Sequence, residues 1–222
     1  MFKDLQSNFL LRRIHSLSGL LPIGLFVIFH LMANATAMFS AENYNIVINF
    51  LRSIPFVEAV EWLVLFIPIG FHAIYGIVIS STAKPNHIQY PGLENFRYVL
   101  QRVTGMVALV YIIYHIVQFK TVHELDYNYI AKTLAGTQAI PGVLAIPFLN
   151  PFSVYWFYII GIVASTFHLA NGIFGFCITW GITVGPKAQK AASVFGFGLF
   201  VVLTYIGVET VNHLRDAGLA LL

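Results

Sequence analysis

Four histidines stand where ionisable side chains are expensive. His30, His72, His115 and His168 each lie in a long apolar run and each follows an aromatic residue, Phe29, Phe71, Tyr114 and Phe167. An ionisable group inside a membrane normally faces a bundle interior or a site, so each is a candidate ligand. Depth sorts them, taking the N-terminus as cytoplasmic and a rise of about 1.5 Å per helical residue. His30 and His115 fall about six and five residues from the outer ends of their helices, whereas His72 and His168 fall about 16 residues past the outer ends of theirs. Two imidazoles at one depth on two helices, one for each side of an iron plane, is what a bis-histidine haem requires. Local sequence supports the pairs: His72 and His168 share F-H-x-x-x-G, with Gly76 and Gly172 one turn on, where a missing side chain leaves room for a macrocycle. His30 and His115 each follow a Ser/Thr-Gly step, Ser18-Gly19 and Thr104-Gly105, by ten or eleven residues. Neither pair brings a carboxylate or thiol to complete a tetrahedral zinc shell. A proton relay is the alternative use of such a histidine set.

Other polar groups support two readings each. His15 sits with Arg12, Arg13 and Ser16 at the inner end of the first helix; these groups could meet haem propionates or a quinone headgroup, or serve as ordinary positive-inside anchors. Glu58 and Glu61 open the second helix. The helix dipole favours acids there, and proton exchange with a quinone on the outer side is the functional alternative. Arg102, beside Gln101, pairs with propionates or snorkels. His87 and His123 read as loop residues and His213 as the outer end of the fifth helix, with no role assigned. The single cysteine, Cys177, excludes an iron–sulfur cluster, a c-type haem attachment and an intramolecular disulfide within this chain.

These side chains need a membrane scaffold. Of 222 residues, 58% are hydrophobic and only 9% charged, and the mean hydropathy is +0.79. A soluble globular domain, with roughly a quarter of its residues charged, is excluded. The net charge of +3 is scattered between apolar blocks, so no basic stripe exists to follow nucleic acid. Five segments, near 14–37, 56–83, 97–119, 153–182 and 193–214, hold the roughly 20 apolar residues a span needs. The turn formers gather between them, at 40–55, 84–95, 121–150 and 185–190. Backbone cannot be left bare in lipid, so each span must be a helix. The expected fold is all-α: one transmembrane domain over 1–222, a five-helix bundle enclosing two b-type haems. The first apolar run has the length of a span and lacks a small-residue cleavage site, so it reads as retained. Lys3, Arg12, Arg13, Lys84, Arg97, Arg102, Lys187 and Lys190 fall on the N-terminal side, against Arg52, Lys120, Lys132 and Arg215 on the other. That bias puts the N-terminus in the cytoplasm and the C-terminus outside. The long 121–150 loop, with Glu124 and Asp126, then faces outward. Small residues such as Gly19, Gly24, Gly105, Gly161 and Gly196 let helices or a flat ligand approach closely.

At R-R-I-H-S-L-S-G (12–19), F-H-L-M-A-N (29–34), F-H-A-I-Y-G (71–76), L-Q-R-V-T-G (100–105) and F-H-L-A-N-G-x-x-x-F (167–176), followed by T-W-G-I-T (179–183), the chain resembles a known family. It is similar to the cytochrome b subunits of succinate:quinone oxidoreductases, in the five-helix, two-haem class of menaquinone-linked succinate dehydrogenases and fumarate reductases. The likeness runs from about Arg12 to Arg215. It implies that His72 and His168 hold an inner haem and His30 and His115 an outer one, with His15, Ser16 and Tyr98 around the inner propionates. It implies a flavoprotein and an iron–sulfur subunit on the cytoplasmic side, menaquinone as substrate, and a higher oligomer as an allowed assembly of the complex. Some fumarate-reducing members carry a glutamate two residues before the fourth ligand; this chain has Thr166 there, which puts a glutamate-dependent proton path in doubt. Two other readings stay open on sequence: the di-haem anchor of another respiratory enzyme, such as a formate dehydrogenase or hydrogenase, and a cofactor-free proton-linked transporter.

Overall fold

The computed structural model describes residues 8–84, 88–120, 126–136 and 151–221, without the side chains of 151–153. Lys3, His87, His123 and Glu124, and most of the 121–150 loop, lie outside the described residues. The ordered elements are helices: α1 (Phe9–Met38), α2 (Ala41–Arg52), α3 (Val57–Ser81), α4 (Leu93–Lys120), α5 (Tyr127–Leu134), α6 (Pro151–Thr179) and α7 (Pro186–Ala220). No strand occurs among the described residues. Helices α1, α3, α4, α6 and α7 are long and apolar enough to cross a membrane.

Boundaries follow local chemistry. The Asn8 side chain accepts the Leu11 N–H at 3.1 Å and starts α1. α6 ends where Gly181 takes φ +70°, letting the Ile182 and Thr183 N–H groups turn back onto the Cys177 carbonyl at 2.9 and 3.0 Å. α7 begins at Pro186, about seven residues before the apolar run suggests. Hydropathy measures only the part of a helix that lipid covers, and Lys187 and Lys190 continue the same helix beyond it. α2 and α5 were not expected, because their stretches are rich in Asn and Thr. They form as short amphipathic helices capped by Ser40, which accepts the Asn43 N–H at 3.0 Å, and by Asp126, which accepts that of Tyr129 at 2.7 Å.

Two spans contain a turn wider than α. In α1 it is Gly19–Gly24, with Pro22 inside; in α3 it is Glu61–Phe66, with Pro68 just after it. Proline lacks an N–H and collides with the carbonyl four residues back. Widening the turn relieves both conflicts and absorbs about one extra residue.

Residues group into two compact units. The first comprises Met1–Ile28, Glu58–Met106 and Ser165–Val201, and the second Phe29–Val57, Val107–Ala164 and Val202–Leu222. In the first, Phe9–Ser18 packs on Ile67–Ser81, and the interior holds Tyr75, Leu169, Ala170, Phe174 and the buried hydroxyl residue Thr166. In the second, α2 packs on α5, Asn45 Oδ1 accepts the Tyr127 N–H at 3.0 Å, and Tyr44, Ile130, Leu134, Val154, Tyr158 and Val211 form the buried cluster. Burial holds the Tyr44 phenol well above its ordinary range; the Asp126 carboxylate adds to this and Arg52 opposes it. Gly218 sits on the Ala131 backbone, where an added Cβ would fall 2.1 Å from the carbonyl oxygen.

Candidate metal centre: two histidine pairs

In the first unit His72 of α3 and His168 of α6 face each other, with ring centroids 6.2 Å apart and ring planes at 90°. Each ring is fixed through Nδ1. His72 Nδ1–H donates to the His15 carbonyl at 3.0 Å, and His168 Nδ1–H donates to the Gln101 carbonyl at 2.9 Å. A carbonyl only accepts, so the proton must be on Nδ1 and the lone pair on Nε2, the tautomer a metal needs.

The two halves of this site repeat one device. A helical carbonyl already bonded to the N–H four residues on has a second lone pair, and the side chain at that position normally screens it. Here that position is glycine both times. A Cβ on Gly19 would lie 2.4 Å from His72 Cε1, and one on Gly105 would lie 2.7 Å from His168 Cε1. The preceding hydroxyl lies beside the same carbonyl: Ser18 donates to that of His15 at 2.9 Å, whereas Thr104 donates to the Leu100 carbonyl at 2.7 Å and stands 3.4 Å from that of Gln101. The partner glycine closes the repeat: Gly76 would place a Cβ 3.3 Å from His15 Nε2, and Gly172 one 3.5 Å from Gln101 Nε2. The halves differ in the residue that supplies the carbonyl. The His15 ring stacks flat on His72, centroids 4.1 Å apart and planes within 7°, and its Nε2 is buried without a hydrogen-bond partner. Gln101 instead donates from Nε2 to the His168 carbonyl at 3.1 Å and rests against the His168 ring.

In the second unit His30 of α1 and His115 of α4 stand with centroids 5.6 Å apart and planes at 84°. Side chains surround them. Asn34 donates to the His30 carbonyl at 2.8 Å, with its Nδ2 3.3 Å from His30 Nε2, and receives Tyr44 Oη–H on Oδ1 at 3.5 Å. Tyr158 Oη lies 3.5 Å from His115 Nδ1 and donates to the buried Gln118 Oε1. Tyr111 tilts against His115 at 5.7 Å and occupies the space over Gly161, where a Cβ would come within 2.2 Å of its ring.

With the geometry in place, one comparison decides the family. The chain is 36% identical over 204 residues to the succinate dehydrogenase cytochrome b558 subunit of Bacillus subtilis (strain 168), covering 92% of this chain and 96% of that one. The chain belongs to the cytochrome b subunits of succinate dehydrogenases. No protein-family profile matches it, nor does any solved structure.

A cytochrome b carries haem b, and the donor sets fit that group. Among the described residues no three His, Cys, Asp or Glu side chains converge as a metal cluster, so each pair offers two nitrogens and leaves the remaining positions to a ligand such as a macrocycle. Two imidazoles holding one metal ion between them, each at a bond of about 2 Å with roughly one ångström more from nitrogen to ring centre, would have centroids about 6 Å apart. Both pairs of this cytochrome b subunit lie close to that separation.

The remaining candidate residues are placed as follows. Ser16 Oγ accepts the Trp180 indole N–H at 2.9 Å, and Arg13 bonds the Thr179 carbonyl between the rings of Phe9 and Trp180. These contacts tie the start of α1 to the end of α6. Arg102 folds over the Tyr98 ring at 3.4 Å and bonds its carbonyl at 2.7 Å. Arg12 and Glu58 are exposed, and Glu61 opens the wide turn of α3 half-buried. Gln101, Asn171, Arg97, Asn34, Tyr158 and Gln118 were not singled out from sequence. A polar residue one helical turn from a ligand, as in the Asn34 and Asn171 spacings, was the available signal.

Proposed function

We propose that this subunit is the di-haem membrane anchor of a succinate dehydrogenase or fumarate reductase complex in the cell membrane. It carries electrons between a cytoplasmic iron–sulfur subunit and membrane menaquinone, with a flavoprotein completing the complex. The support is the recurrence of an imidazole pair, His72 with His168 and His30 with His115, at the separation that would let both rings of a pair hold one iron. Bound haem supplies the one-electron chemistry. The chain's own residues do the rest. Carbonyls of His15 and Gln101 hold the inner imidazoles in the ligating tautomer, and the apolar helices exclude water. Counted by depth, the His72 and His168 pair lies nearer the cytoplasmic subunits. Glu58, Glu61, Arg12 and Arg13 are the candidates for a quinone site.

The test is haem-to-polypeptide stoichiometry with a redox titration of the isolated complex. The wild type should hold two b-type components, and His72→Ala and His168→Ala should each remove the same one. Retention of two full haem signals in either variant would falsify the pairing, and a colourless wild-type chain would sink the assignment.

A further inference from the structure

Behind His168 runs a line of polar side chains that the ligand itself does not need. Arg97 Nε donates to Asn171 Oδ1 at 2.8 Å, and Asn171 Nδ2 donates to Gln101 Oε1 at 2.7 Å. Gln101 Nε2 then donates to the His168 carbonyl at 3.1 Å and lies 3.2 Å from the ring's Nδ1. The direction of every bond is forced. A guanidinium only donates, so Asn171 must turn its oxygen to Arg97 and its amide hydrogens to Gln101; Gln101 must then turn its own amide hydrogens to His168. Arg97 is firmly held: it also donates to Ser193 Oγ at 2.9 Å and covers the Phe174 ring at 3.8 Å. Its carboxylate neighbour, Glu94, is at 3.7 Å with a side chain 66% exposed, against 14% for Arg97, so solvent screens the acid more than the base. Among the described residues, His72 instead has the ring of His15 against it and Ser18 Oγ 3.5 Å from its Nδ1.

We propose that Arg97, Asn171 and Gln101 form a polarised relay that orients the His168 imidazole and raises the reduction potential of the haem it holds. The inference rests on His168 being a haem ligand, as proposed above. Two aligned amide dipoles point their positive ends at the ligand, and a fixed cation stands at their origin. Oxidised haem carries one more positive charge than reduced haem, so this arrangement disfavours oxidation. These are positioning residues, since none need touch the iron.

The experiment is a redox titration of both haems in the isolated complex, with low-spin EPR of the oxidised form. Arg97→Met should lower one midpoint by about tenfold or more in the reduction equilibrium, which is 59 mV for a one-electron couple, and leave the other in place. Arg97→Lys, which still donates, should recover most of the shift. Asn171→Asp keeps a partner for Arg97 but cannot donate to Gln101, so it should lower the same midpoint and alter the same EPR signal even if Arg97→Met fails to assemble. Combined with Arg97→Met it should add little. The relay is overturned if Asn171→Asp leaves both midpoints unmoved, if Arg97→Met does so where it assembles, if both haems shift equally, or if those two substitutions add fully. The ligand assignment is checked separately by His168→Ala. Should that variant keep both haems, the function proposed above fails; should it lose one while the Arg97 and Asn171 variants change nothing, only the relay fails.

Discussion

At the scale of single residues, the glycines beneath the imidazoles decide more than the flanking polar groups. Gly19 and Gly105 each uncover a helical carbonyl and leave the ring no spare space. A methyl at either point must displace the ring or the backbone, and overpacking of this kind costs about 1–3 kcal/mol. Gly19→Ala and Gly105→Ala should therefore each deplete one b-type absorbance component, and the same one, because His72 and His168 share a site. Gly175→Ala, where a Cβ meets nothing within 4 Å, should leave the spectrum unchanged. Depletion of different components by the first two substitutions would disprove the shared site. The histidines themselves were legible in the sequence, because a titratable side chain in an apolar run has few other reasons to be there. Their Nδ1 partners were not legible, because every residue carries a carbonyl and only the packing chooses which one is used.

At the scale of elements, the wide turn of α1 explains a spacing that the sequence displays without a reason. His30 follows Gly19 by eleven residues, whereas His115 follows Gly105 by ten. α4 is α-helical throughout, and α1 spends one additional residue in Gly19–Gly24, which accounts for the eleventh residue. Deleting Leu21 together with Pro22→Ala should close that turn to α and keep both haem components. Deleting the exposed Val110 from α4 has no such reserve: His115 would turn by about 100° relative to Gly105, and one component should vanish from the difference spectrum. Loss of a component in the first deletion, or its survival in the second, would refute the account. Apolar periodicity reported the spans but not this turn, since proline alone does not reveal whether a helix kinks, breaks or widens. The same method passed over α2 and α5, whose stability comes from caps and from Tyr44 and Tyr127 packing together rather than from length.

For the molecule as a whole, an odd number of spans has a directional consequence. Among the described residues five helices, α1, α3, α4, α6 and α7, are long and apolar enough to cross; we propose that all five do, which would set the two ends of the described chain in opposite compartments, with the Lys- and Arg-rich N-terminal side cytoplasmic. A reporter enzyme active only outside the cytoplasm should work when fused after α7 and fail when fused before α1. The reverse pattern would invert the orientation and put the His72 and His168 pair away from the proposed partners. Composition sufficed to exclude a soluble chain, and the spans followed from it. Which faces meet was beyond composition, because lipid and protein interiors are equally apolar.

The near-repetition of one cradle wall by the other bears on how a lopsided guest is seated. The porphyrin of haem b differs from its mirror placement only in the order of a few rim substituents. Walls built on the same carbonyl, hydroxyl and glycine plan present almost the same outline to either placement. If haem sits there as proposed, the choice between them would fall to the mismatches, a flat ring at His15 against a carboxamide at Gln101 backed by Asn171 and Arg97, so newly loaded protein would begin as a mixture of flipped isomers and sort itself afterwards.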